Sequence, residues 1–207
     1  MKNGRIAVTG LGVCTALGCD VETFWTGLAA GRSAGAPITG FDPAGFHSRV
    51  AAEVKSFDPS PVLGRKRVRR MARFSQMASY AALQAIAGAG IDLDALDRSR
   101  VGTVVGTAAG DYEHLEEQYR TLLEKGPGNG FPLAVPMIIP NMSAANAAID
   151  LGVTGPNLGV ATACSSGAHA IAVAAMMLRS GAADVMVAGG AEAAITPLTA
   201  VSYTHLR

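Results

Sequence analysis

Aromatic side chains are scarce in this chain of 207 residues, at 5% with a single tryptophan, and charged residues amount to only 16%. The first shortage excludes a core built on bulky rings; the second excludes a highly charged, disordered chain. Small apolar residues take their place. With 25 glycines, a hydrophobic fraction of 49% and a mean hydropathy of +0.28, the chain suits the close backbone packing of layered α/β proteins. No apolar run approaches the roughly 18 residues that span a bilayer, so no membrane association is expected. No leader segment is expected either, since Met1 to Arg5 runs directly into Ile6-Ala7-Val8, which reads as a core strand. The expected location is cytoplasmic. Cysteine is rare, three in all, and an odd number argues for reduced thiols over a disulfide framework. Cys14 and Cys19 have no second pair and no neighbouring histidine, which leaves a tetrahedral zinc site short of ligands. Neither a metal nor a cofactor is expected, and a net charge of +1 points to no class of partner by itself.

Hydrophobic periodicity predicts alternating strands and helices. Arg5 to Thr9 reads as a buried strand and Glu22 to Gly31 as an amphipathic helix. Between Gly35 and Pro61 glycine, proline and aspartate accumulate, which predicts a surface excursion. A helix follows from Arg73 to Ala89, a strand from Val101 to Val105 and a helix from Tyr112 to Glu124. Gly126-Pro127-Gly128-Asn129-Gly130 breaks the chain. A helix resumes at Asn141, a good capping residue, and runs to Leu151; a strand from Asn157 to Ala161 leads through a tight turn into a helix ending near Arg179, with Gly181 beyond it. The last strand is Asp184 to Ala188. Continuously apolar strands alternating with helices imply a mostly parallel sheet covered on both faces.

Two glycine-rich stretches invite a functional reading. Gly10-Leu11-Gly12 directly after the first strand resembles a dinucleotide fingerprint, but the third glycine is missing and no helix begins where a pyrophosphate would need its amino-terminus. A tight turn packed under another layer is the better reading. Gly159 to Gly167 differs in kind, because it places Cys164 at a strand-to-helix junction facing unpaired backbone amides. The partial positive charge of a helix start favours thiolate over thiol, and the same amides can hold an oxyanion on an attacked thioester. Gly167 and Ala168 leave room beside the sulfur for a substrate chain. The competing reading is a small buried hydrophobe, the usual fate of free cysteine. The stretch from Gly159 to Gly167 contains no Gly-x-Ser-x-Gly elbow. His169 lies five residues along the same helix, about 500° of rotation and so some 140° around the axis from Cys164; it reads as a packing or hydrogen-bonding residue. His47, His114 and His205 offer no convincing general base.

Thr162-Ala-Cys164-Ser-Ser-Gly167, Val8-Thr-Gly-Leu-Gly12 and Asp184-Val-Met-Val-Ala-Gly-Gly-Ala-Glu192 together resemble the elongating beta-ketoacyl-acyl carrier protein synthases, type II above all. The resemblance covers about residues 4 to 200, including Arg100 to Gly106, Asn141-Met142 and Gly155-Pro156. It implies the amino-terminal half of a thiolase-like, five-layer αβαβα architecture with a mostly parallel mixed sheet. It also implies a mechanism: an acyl group passes from acyl carrier protein to Cys164 as a thioester, malonyl-carrier protein loses carbon dioxide, and the carbanion attacks that thioester to give a 3-oxoacyl chain. Decarboxylation in the family uses two histidines, with a lysine and a phenylalanine amide in support, from a carboxy-terminal half that this sequence lacks. Further carry-overs are Lys66, Arg69 and Arg70 for docking the acidic carrier protein, against the plainer reading of a solvated charged face or a nucleic-acid patch. Ala109 and Ala134 are carried over as acyl-pocket residues. The family resemblance also implies a homodimer pairing across strand Asn157 to Ala161.

Residues 1–200 are thus expected to form a truncated ketoacyl synthase domain. Residues 201–207 depart from the family's continuation; the expectation is a gene model cut short with a non-native tail, so His205 is not counted as catalytic. A polyketide-pathway ketosynthase and a fragment that only binds acyl groups or carrier protein remain alternatives. A chain-length factor fits less well, since that partner typically lacks the cysteine.

Overall fold

The computed structural model describes residues 4–205. Its elements are α1 (Val21–Ala29), β1 (Ala36–Pro37), β2 (Val50–Ala51), α2 (Ser60–Leu63), α3 (Arg65–Val68), α4 (Arg73–Gly88), β3 (Val101–Gly106), α5 (Tyr112–Lys125), α6 (Ala134–Ile138), α7 (Met142–Leu151), β4 (Asn157–Val160), α8 (Ser166–Ser180), β5 (Val185–Gly190) and α9 (Pro197–His205). No helix among the described residues is long and apolar enough to cross a membrane.

The central sheet has three strands in the order β4-β3-β5, all parallel. β3 is buried along its whole length, so its side chains must find apolar partners on both faces. Val104 packs with Ala170 and Ala174 of α8 on one face. On the other, Val101 and Val105 meet Ala82 and Ala78 of α4 and Ala147 and Ala144 of α7. The result is an α/β/α sandwich in which alanine lets the helices approach closely. A buried polar link crosses it: Thr103 Oγ1 donates to the Ala144 carbonyl at 3.1 Å, and Asn157 Nδ2 donates to that carbonyl at 2.9 Å and to Thr103 Oγ1 at 2.5 Å. Two distant strands and α7 are thereby fixed in register.

Several expectations are corrected. Residues 5–9 pair with nothing among the described residues; β5 is an edge strand. Instead of a ladder, glycine contacts hold this segment: a Cβ on Gly10 or Gly12 would overlap the Ala85 or Ala81 carbonyl of α4. The glycines therefore serve close packing, as the turn reading requires. The 35–61 excursion contains a short antiparallel pair, Ala36 opposite Ala51. Asn141 stands at the cap position of α7 with α-region backbone, and its side chain makes no capping bond. Helix α9 was not expected from periodicity. Of the tail at 201–207, residues 206 and 207 lie outside the described residues.

Candidate active site at the strand ends

Parallel strands end together, and the loops leaving them converge at one edge of the sheet. Here the loop after β3 (Thr107–Gly110), the turn after β4 (Thr162–Ser165) and the residues after β5 (Ala191, Glu192) meet. Their backbones are joined: the Thr107 amide donates to the Val160 carbonyl at 3.0 Å and the Ala191 amide to the Gly106 carbonyl at 2.9 Å. Packing at this edge depends on missing side chains. A Cβ on Gly106 would overlap the backbone of Ser166, and one on Gly190 would lie 3.0 Å from Gly167 Cα. The start of α8 thus rests directly on the strand ends.

Cys164 sits in the turn immediately before α8 and is exposed. Ala163, just ahead of it, has φ of 52°, a left-handed conformation that costs an alanine about 1–2 kcal/mol. Hydrogen bonds hold the turn in that shape. Ser166 Oγ accepts from the Thr162 amide at 2.8 Å and donates to the Ala163 carbonyl at 2.6 Å, while Ser165 Oγ donates to the Thr162 carbonyl at 2.7 Å. The Ser165 and Ser166 amides are engaged with the Thr162 and Ala163 carbonyls, whereas the Cys164 amide takes no backbone partner among the described residues. A donor adjacent to the sulfur is what a developing oxyanion would use. His169 shares a 2.7 Å hydrogen bond with Thr162 Oγ1 through Nδ1, which ties the helix back to the turn.

Glu192 is a contributor that motif reading quoted without assigning a role. Its carboxylate accepts from the Ala108 amide at 2.7 Å and from Thr107 Oγ1 at 3.2 Å, so the β5 exit fixes the β3 loop. At the opposite end of β5, Asp184 is bound by Arg100 at 2.7 and 3.0 Å. The sequence carries no local signal for this role of Glu192, because its partners Thr107 and Ala108 leave another strand.

The other expected site residues are not gathered around Cys164 in one cavity. Ala109 is half-buried in the β3 loop and Ala134 opens α6, also half-buried. A cavity of about 1020 Å³ lies between Phe41, the β2 strand, α5 and residues 192–200; Cys164, Ala109 and Ala134 are not in its lining. Of the basic segment, Lys66, Arg69 and Arg70 are exposed and make no ion pair among the described residues. Arg67 turns inward, its Nε 2.8 Å from Asp150 Oδ1 and its guanidinium on Asn146 Oδ1 at 2.8 Å. No cluster of three or more His, Cys, Asp or Glu able to hold a metal occurs among the described residues.

Comparison with known proteins adds to this geometry. The family described as beta-ketoacyl synthase, N-terminal domain, matches residues 3–207. A 3-oxoacyl-[acyl-carrier-protein] synthase 2 from Synechocystis sp. is 40% identical over 207 residues, all of this chain and 50% of its own length. The solved structure named the ishigamide ketosynthase/chain length factor superimposes with a TM-score of 0.88 at 30% identity, covering 95% of this chain and 49% of the other. A beta-ketoacyl synthase from Burkholderia phymatum does so with a TM-score of 0.83 at 31% identity, over 95% and 49%. The chain spans about half the length of the curated relatives it matches.

Proposed function

Because the chain belongs to the beta-ketoacyl synthase family, whose N-terminal domain it matches from residue 3 to residue 207, we propose that it carries the acyl-accepting half of a 3-oxoacyl-[acyl carrier protein] synthase of fatty acid elongation, with Cys164 as the nucleophile. Its fold is the thiolase-like one of the ketosynthases it superimposes on. The observation that carries the proposal is the presentation of an exposed thiol on a strained, hydrogen-bonded turn between strand β4 of a parallel sheet and the start of a long helix. Thiolate attack on a carrier-bound acyl thioester forms a tetrahedral oxyanion; its collapse expels the carrier thiolate and leaves the acyl group on Cys164. Malonyl-carrier protein then loses carbon dioxide, and the resulting carbanion displaces Cys164 from the acyl carbon. The second step needs groups from the other half of the protein. This domain's share is nucleophile, oxyanion donor and carrier recognition.

Lys66, Arg69 and Arg70, exposed and without carboxylate partners among the described residues, suit an acidic carrier protein. Ala109 and Ala134 are assigned to the acyl pocket on family resemblance, and the exposed edge strand β4 is the proposed pairing edge of a cytoplasmic homodimer. Residues 4 to about 200 form the domain. The relative named as a ketosynthase/chain length factor keeps a polyketide-pathway ketosynthase as a second reading; the presence of Cys164 favours the ketosynthase over the chain length factor. The experiment is steady-state formation of 3-oxoacyl-carrier protein from acyl- and malonyl-carrier protein by the protein with both halves present. Charge reversal, Arg69→Glu with Arg70→Glu, should raise the KM for carrier-linked substrate severalfold with kcat little changed. An unchanged KM removes the docking assignment, and absence of a 3-oxoacyl product with fatty acyl donors, but not with polyketide donors, favours the second reading.

A further inference from the structure

The chain's two remaining thiols are placed opposite each other with no role in acyl transfer. Thr15 and Gly18 exchange both backbone hydrogen bonds, Thr15 N–H to Gly18 O at 2.9 Å and Gly18 N–H to Thr15 O at 3.1 Å, which makes a two-residue turn of Ala16 and Leu17. The next pair outward in such a ladder is not hydrogen-bonded, and its Cα atoms lie about 4.5 Å apart. That spacing falls inside the roughly 4.4–6.8 Å window a disulfide requires. The residues at those positions are Cys14 and Cys19, and their sulfurs are 3.1 Å apart as free thiols.

The frame around them is held from outside. Gln84 Nε2, on α4, donates to the Val13 carbonyl at 3.1 Å and to the Cys19 carbonyl at 2.9 Å, so one amide grips both arms of the turn. Thr15 Oγ1 closes the turn from within, donating to the Gly18 carbonyl at 3.2 Å and accepting from the Leu17 amide at 3.2 Å. Asp20, next in the chain, caps α1 by accepting from the Thr23 amide at 2.7 Å. A bond between the sulfurs would need them to close the remaining gap while the backbone stays in place. Both residues are partly exposed, which admits a small oxidant.

We propose that Cys14 and Cys19 are a reversible modification site, forming an intrachain disulfide with a hydroperoxide as oxidant. The Cys19 thiol gives its proton to solvent and the thiolate attacks an oxygen of hydrogen peroxide; the O–O bond breaks, the departing hydroxide takes up a proton and leaves as water, and Cys19 becomes a sulfenic acid. Cys14 Sγ then attacks Cys19 Sγ; the S–O bond breaks and the leaving hydroxide departs as water with the Cys14 proton. Two thiols lose two electrons and two protons, and hydrogen peroxide is reduced to two waters. Cys14 keeps its proton through the first step, because burial, its hydrogen bond to Cys19 and the Cys19 charge raise its pKa well above the ordinary thiol range against the pull of Arg73, and that proton is the one that leaves with the hydroxide. A dithiol reductant reverses the bond.

Trypsin cuts after Arg5 and Arg32 and leaves both cysteines on one peptide, which makes the test direct. The protein is titrated with hydrogen peroxide, blocked with iodoacetamide and digested. The expected peptide is lighter by two hydrogen masses and unalkylated at both cysteines, and takes two alkyl groups when dithiothreitol precedes the block. Cys14→Ser should leave Cys19 as a sulfenic acid trapped by a 1,3-diketone reagent. The proposal is overturned if both cysteines remain alkylated at a peroxide concentration that has oxidised Cys164, or if either proceeds to sulfinic acid without the two-hydrogen loss.

Discussion

Ala163 is the only described non-glycine residue with left-handed backbone, and it immediately precedes Cys164. Bonds from Ser165, Ser166 and Thr162 hold it there, so the strain is a product of the turn that presents the thiol. A β-branched side chain tolerates this conformation poorly. Ala163→Val should therefore lower the unfolding free energy by about 1–2 kcal/mol in chemical denaturation, whereas Ala163→Gly should leave it equal or slightly higher. A second residue-scale effect concerns His114. Hydrogen bonding to the buried Asp111 raises its pKa, against desolvation and with help from the charges of Asp111, Glu113 and Glu117. A raised folded pKa means a contribution that is complete below the ordinary value of 6.5 and is lost as pH rises through the folded value. The gap in melting temperature between the native protein and His114→Gln should accordingly shrink as pH increases from 6 toward 9, a range measurable by thermal scans. A constant gap contradicts the pairing.

At the scale of elements, the site is an agreement among three strand ends and one helix start. Gly106 carries most of that agreement, because a Cβ there would collide with Ser166 backbone, while one on Gly189 meets nothing within 4 Å. Gly106→Ala should cost about 1–3 kcal/mol and reduce Cys164 acylation by pushing α8 off the sheet; Gly189→Ala should leave both nearly intact. Equal effects would show that the close approach does not set the thiol's position. The same elements explain what was legible in the sequence. Helices α4, α5 and α8 were readable because their periodicity is long and their stops are local; Gly181, for instance, is left-handed with φ of 76° just past α8. The place of Cys164 between a strand and a helix was readable because strand, turn and helix are contiguous around it. The 5–9 strand was misread because pairing is decided by distant neighbours, and here Gly10 and Gly12 dock on α4 instead. Cys14 and Cys19 read as reduced thiols outside a disulfide framework and as too few ligands for a metal, since spacing in sequence does not reveal a hydrogen-bonded turn between them. Glu192 was invisible as a loop anchor for the same reason: its partners, Thr107 and Ala108, belong to another strand.

At the scale of the molecule, apolar surface remains uncovered. Val8 is 82% exposed and Ile171 57%, and both border a groove of about 460 Å³ between residues 6–12, α4, α8 and the β5 edge. Surfaces of this kind mark contact faces, in keeping with a chain that spans about half the length of its curated relatives. The proposed division of labour follows: this half accepts and orients the acyl group, and carbon–carbon bond formation requires the other. Acyl transfer should then be separable from condensation. The most direct test is the intact mass of the protein after incubation with an acyl-carrier protein and no malonyl donor, followed by peptide mapping. One acyl mass on Cys164, removed by hydroxylamine and absent in Cys164→Ala, is the predicted result; a folded native protein that takes up no acyl group, or an adduct that persists in Cys164→Ala, would contradict the assignment.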